Sequence, residues 1–174
     1  MKKIAILNNS NNELVQNLIS KMLKKNIEAC LFDQLSDIIG QDFDLIVLYD
    51  YNYELPTEFK SSTVINIHPS LLPAFEGENA ITKAFVSGVK ISGITIHEPS
   101  GRIIAQYPVI ISNLMHLDEF EKKMHSAELK FVPKVIESII ENKAFDYEDL
   151  FNNKSEHNNC GGCGHCGGSC KHNK

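Results

Sequence analysis

The sequence predicts an α/β fold of Rossmann type, with a mainly parallel sheet flanked by helices. Two observations carry this. In the first half, short apolar runs of strand length alternate with segments whose apolar residues recur at helical spacing. In the second half, two strand-like runs separated by a tight-turn sequence precede a long helical stretch, which predicts a C-terminal hairpin and helix.

Residues 3–7 read as a short buried strand, and Ser10-Asn11-Asn12-Glu13 has the spacing of a capping box. A helix over 11–25 follows, because Leu14, Leu18 and Met22 recur with Val15, Ile19 and Leu23 on one face. Strands are predicted at 27–32, 45–49 and 63–67, with a short helix at 34–39 between the first two. A helix over 79–87 carries Ile81, Ala84 and Phe85 and stops at Gly88. Runs 91–97 and 102–109, joined by Glu98-Pro99-Ser100-Gly101, form the hairpin. The last helix starts near Asp118, shows Phe120, Met124, Ala127, Phe131, Val135 and Ile139 on one side, and should kink at Pro133.

The 174 residues suit one compact domain over 1–150, long enough to bury a sizeable core, followed by a flexible tail over 151–174 with no apolar residue after Phe151. A net charge of −5 argues against non-specific binding to nucleic acid or membrane surfaces. No apolar run approaches the length of a membrane span, and Met1-Lys2-Lys3 leads directly into the first strand, so a cytoplasmic location is expected. Cys30 sits alone in an apolar stretch and is expected in the core.

Asn66-Ile67-His68-Pro69-Ser70-Leu71-Leu72-Pro73 ends an apolar β-run. Asn66 and His68 are two apart on a strand and therefore share a face. An amide that donates to a developing oxyanion and an imidazole that moves a proton are the two services acyl or formyl transfer needs. The alternative is a strand end with a Pro-rich turn and a satisfied surface histidine.

The stretch NIHPSLLPAFEG, with GVKISGITIH, IIAQYPV and Glu128 ahead of Pro133, resembles the folate-dependent formyltransferases over roughly residues 4–140. The likeness is greatest to the glycinamide ribonucleotide formyltransferases. It implies a Rossmann-like formyltransferase fold, a 10-formyltetrahydrofolate donor and a small-molecule amine acceptor. By the same resemblance, Asn66, His68 and His97 would be catalytic, and Leu48, Leu55, Leu72 and Pro73 would face the reduced pterin. Gly77 and the turn residues Asn9, Ser10 and Asn11 would serve the acceptor.

The sequence departs from the family pattern in three places. The loop after the His97 strand, where the family has Asp followed by Gly, is only Glu98-Pro99-Ser100-Gly101, and alternation points Glu98 away from His97. The Gly-rich phosphate turn is replaced by Asn8-Asn9-Ser10-Asn11-Asn12, which reads equally as an anion site or a helix cap. The folate loop is replaced by a Tyr-rich segment from Tyr49 to Pro56. These departures leave room for a catalytically impaired folate or nucleotide sensor on the same scaffold.

The tail carries Cys160, Cys163, Cys166 and Cys170 with glycines between them. Thiolates at this spacing suit an iron–sulfur cluster, zinc with or without His165, or Cu(I). A flexible low-complexity tail is the alternative, and a scaffold whose working part is this tail is a third functional reading.

Overall fold

The structure, a computed structural model, describes residues 2–8, 13–49 and 63–148. Within them lie β1 (Lys3–Leu7), α1 (Glu13–Lys24), β2 (Glu28–Phe32), a 3-10 turn (Leu35–Ile38), β3 (Leu45–Tyr49), β4 (Thr63–His68), α2 (Ala80–Val86), β5 (Ile91–His97), β6 (Ile103–Ile110) and α3 (Leu117–Ile140). The six strands form one sheet in the order β2-β1-β3-β4-β5-β6. Pairing is parallel from β2 to β4, and β5 and β6 add antiparallel to one edge. The fold class expected from the alternation is the one observed.

Alternation along the central strands divides the core. Ile4, Ile6, Leu45, Val47, Ile65, Ile67, Ile94 and Ile96 face α1 and α3 in the larger cluster. Ala5, Leu7, Ile46, Leu48 and Val64 point to the other side, where Ile38 and Phe43 cover them. In α1 the buried face is Leu14, Val15, Leu18 and Met22. Leu23, expected on that face, is 60% exposed because it lies one position past the seam. Ile139 of α3 is only half-buried, while Ile136 and Ile140 point into the core. Cys30 is also not a core residue: it is half-buried on the edge strand β2, with its thiol 3.8 Å from Glu28 Oε1.

Pro133 lies inside α3, which runs through it rather than ending there. A proline has no N–H to give the carbonyl four residues back, so the Leu129 carbonyl loses its helical donor. Lys21 Nζ on α1 supplies the replacement, 3.0 Å from Leu129 O. The bond is part-buried, so its net contribution is on the order of 1 kcal/mol, and it ties α1 to α3.

Residues Pro69 to Glu76 fold back over β5 and β6, on the face away from α3, where Gly93 provides the clearance. A Cβ at position 93 would meet Tyr107 O at 2.1 Å and Leu71 Cδ2 at 2.8 Å. Gly93→Ala is therefore expected to destabilise the fold by about 2 kcal/mol or more. Urea unfolding should show a lower midpoint with an unchanged slope; an unshifted midpoint would mean that neither the β6 backbone nor the loop packs this closely on Gly93.

Candidate active site

The loop that shapes the site hangs on one hydroxyl. Thr95 Oγ1, fully buried on β5, donates to Ser70 O at 2.6 Å and accepts from Leu72 N at 3.0 Å. Gln106 Nε2 on β6 donates to Thr95 Oγ1 at 3.0 Å and to Leu72 O at 2.9 Å. The buried Ser70 hydroxyl donates to Ala74 O at 2.6 Å, and the Leu72–Pro73 peptide is cis. These bonds satisfy the backbone of a turn that would otherwise bury unpaired polar groups.

The strand register brings the sequence-predicted residues together. Asn66 on β4 is the direct antiparallel partner of His97 on β5, and His68 is the partner of Thr95. All four side chains therefore project to one face. Asn66, His68 and His97 are half-buried and line a common cavity of about 360 Å³ with Leu72, Pro73, Glu76, Gly77, Gly101 and Ile103. Leu48 lies opposite Asn66 on β3, only 4% exposed, within the second core cluster. Asn9, Ser10, Asn11, Leu55 and the four tail cysteines lie outside the described residues. Among the described residues, no group of three or more His, Cys, Asp or Glu side chains is arranged to hold a metal ion.

Each imidazole is fixed by a backbone carbonyl. His68 Nε2 lies 3.0 Å from Phe75 O, and His97 Nδ1 lies 2.8 Å from Glu98 O. A carbonyl oxygen only accepts, so these nitrogens carry the protons. In the neutral rings the basic lone pairs are then on Nδ1 of His68 and Nε2 of His97. Phe75 adopts φ 57°, a left-handed conformation uncommon for an aromatic residue, and so turns its carbonyl toward His68.

A second cavity, of about 390 Å³, opens on the other side of Asn66 and His68. Tyr49, Glu78, Glu121, His125 and Glu128 contribute its polar lining. Glu128, 4% exposed, accepts from the Tyr49 hydroxyl at 3.1 Å. His125 bridges two carboxylates: its Nδ1 is 3.7 Å from Glu128 Oε2, and its Nε2 is 3.2 Å from Glu13 Oε2 on α1. Tyr49, His125 and Glu76 were not among the residues singled out from sequence. The available signal for His125 was its position three residues before Glu128, which puts both on one side of α3.

The hairpin turn supplies no free carboxylate. Glu98 pairs with Arg102 and accepts from Ser100 Oγ at 3.1 Å. The Arg102 guanidinium, foremost through its hydrogen bond, holds the Glu98 carboxyl below its ordinary range.

Comparison with known proteins gives this site its context. The chain is 44% identical over 82 residues to the phosphoribosylglycinamide formyltransferase of Bacillus subtilis, covering 44% of this chain and 42% of that protein. It is 30% identical over 137 residues to the formyltetrahydrofolate deformylase of Synechocystis, covering 75% of this chain and 46% of that one. It thus spans less than half the length of either relative. The structure of phosphoribosylglycinamide formyltransferase from Bacillus halodurans superposes with a TM-score of 0.68 at 23% identity, over 83% of this chain and all of that one, which shows a shared fold. The Formyl transferase family matches residues 5–136, an interval that holds Asn66, His68, His97 and Glu128, and the chain belongs to that family.

Proposed function

We propose that this protein transfers a formyl group from 10-formyltetrahydrofolate to a small-molecule amine, with glycinamide ribonucleotide the leading acceptor. The observation that carries the reading is the register of β4 against β5, which sets Asn66 beside His97 and His68 two residues along, on one cavity. In this reading the Asn66 amide donates to the formyl oxygen as negative charge develops, which lowers the barrier to attack. His68, through its unprotonated nitrogen, takes the proton that the acceptor amine releases, and His97 assists from the neighbouring strand.

The residues present suit both partners. Leu72, Pro73 and Ile103 give the 360 Å³ cavity an apolar wall for a planar ring, close to the polar Asn66 and His97. We assign Leu55 to the same donor side, with Leu48, buried beside Asn66 on the neighbouring strand, as support behind it. The 390 Å³ cavity, with Tyr49, His125 and Glu128, suits a polar acceptor, and Gly77 borders both cavities. Asn9, Ser10 and Asn11 are assigned to the acceptor's far end. No helix among the described residues is long and apolar enough to cross a membrane. We place the activity in the cytoplasm, without a nucleic-acid partner.

His68→Ala should lower formyl transfer at least about a hundredfold while leaving the thermal transition nearly unchanged, because the ring serves the reaction more than the core. A variant that unfolds, or one that keeps its rate, would contradict the role. Titration calorimetry with a non-reactive 10-deaza analogue of the donor should give saturable heat. The absence of heat would count against any folate reading, and binding by a wild-type protein that shows no turnover would favour the sensor reading.

We also assign a metal to Cys160, Cys163, Cys166 and Cys170, on the strength of their spacing alone. Zinc, with four thiolates or with three and His165, and an iron–sulfur cluster both fit these donors. Anaerobically purified protein should contain metal that is lost when the four cysteines are changed to serine. Elemental analysis together with the visible spectrum distinguishes colourless zinc from a brown cluster, and metal-free protein from a metal-replete culture would overturn the assignment.

A further inference from the structure

Amide formation from an amine and a formyl donor moves one group and one proton. The acceptor nitrogen forms a bond to the formyl carbon, the bond from that carbon to the donor nitrogen breaks, and the acceptor's proton ends on the donor nitrogen. While an imidazole carries that proton it is a cation in a half-buried cavity, and a carboxylate facing the same cavity stabilises it.

The carboxylates near the site differ in their availability for this task. Glu98, adjacent to His97 in sequence, is held by Arg102 and Ser100. Glu128 lines the other cavity and accepts from Tyr49, and Glu78 and Glu121 also lie on that side. Among the described residues lining the cavity shared by Asn66, His68 and His97, Glu76 brings the carboxylate.

The backbone around Glu76 is held in place by its neighbours. On one side Phe75, at φ 57°, gives its carbonyl to His68 Nε2 at 3.0 Å, so Glu76 follows directly on the atom that fixes the ring. On the other side Gly77 takes φ 78°, and the Glu76 carbonyl accepts from Lys83 Nζ at 3.3 Å. The backbone of Glu76 is thus tied to both neighbours, and the residue is exposed where it lines the cavity.

We propose that Glu76 is a positioning residue for formyl transfer: its carboxylate stabilises the imidazolium formed during proton transfer, in place of the carboxylate that the hairpin turn lacks. This inference rests on the formyl-transfer reading. Because the side chain is exposed, solvent screens the interaction and the effect is moderate.

The test measures steady-state turnover of 10-formyltetrahydrofolate by the full chain, with glycinamide ribonucleotide as acceptor and separately with water. Glu76→Gln should lower kcat roughly five- to tenfold, leave both KM values within about twofold, and leave the thermal transition in place. Glu76→Asp should recover part of the loss, and Glu141→Gln, a surface carboxylate just past α3, should stay within about twofold of wild type. An active wild type matched by E76Q would overturn the role of Glu76 alone. So would an E141Q variant that loses as much as E76Q. A wild type that turns over the donor with neither acceptor would overturn the formyl-transfer reading and the role of Glu76 with it.

Discussion

The site depends on the hydroxyl of Thr95. It has one proton to give and two lone pairs to fill, and all three are used: Ser70 O receives the proton, while Leu72 N and Gln106 Nε2 donate to the oxygen. Through these contacts the turn after β4 is held on β5 and β6. That placement in turn sets where the Phe75 carbonyl lies, and the carbonyl decides which nitrogen of His68 is protonated. A contact on one strand therefore determines the acid–base character of a ring on the next. Valine has a similar shape to threonine but would leave a buried N–H and a buried carbonyl without partners, each loss costing on the order of 1 kcal/mol or more.

The two cavities differ in chemistry because different elements build their walls. The smaller is walled by the turn after β4 and by the hairpin, which contribute apolar side chains beside polar ones. The larger is closed by α2 and α3, of which α3 brings Glu121, Glu128 and His125, and Glu78 adds a carboxylate just before α2. Asn66 and His68 lie on the boundary between them, reachable from both sides. In the formyl-transfer reading proposed above, this lets donor and acceptor approach one pair of groups from different sides.

The strands were legible in the sequence because their apolar alternation is imposed by the sheet itself, and Asn66 and His68 were legible because they are two residues apart on one strand. His97 became a neighbour only through the antiparallel pairing of β4 and β5, which local periodicity does not encode; resemblance supplied it. Glu76 and Tyr49 had no local signal. Glu76 lies in an irregular turn whose course is set by Thr95 and Gln106, and Tyr49 reads as one more aromatic residue at a strand end. The expectations for Leu23 and Cys30 failed for a common reason: an apolar residue at the margin of a buried face, or on an edge strand, meets the pattern without meeting the core.

The contact between Lys21 and the Leu129 carbonyl also bears on how the chain tolerates change. Taken singly, Lys21 looks like an interchangeable surface lysine on an amphipathic helix, more than a hundred residues from its partner in sequence. Its worth is conditional on Pro133. With a residue at 133 that carries an N–H, the carbonyl would be satisfied within the helix and position 21 would be free to drift. With proline there, loss of the lysine would leave a polar gap one residue beyond Glu128, where α3 lines the larger cavity. The two positions are therefore coupled under mutation: the cost of losing the lysine depends on whether position 133 carries an N–H.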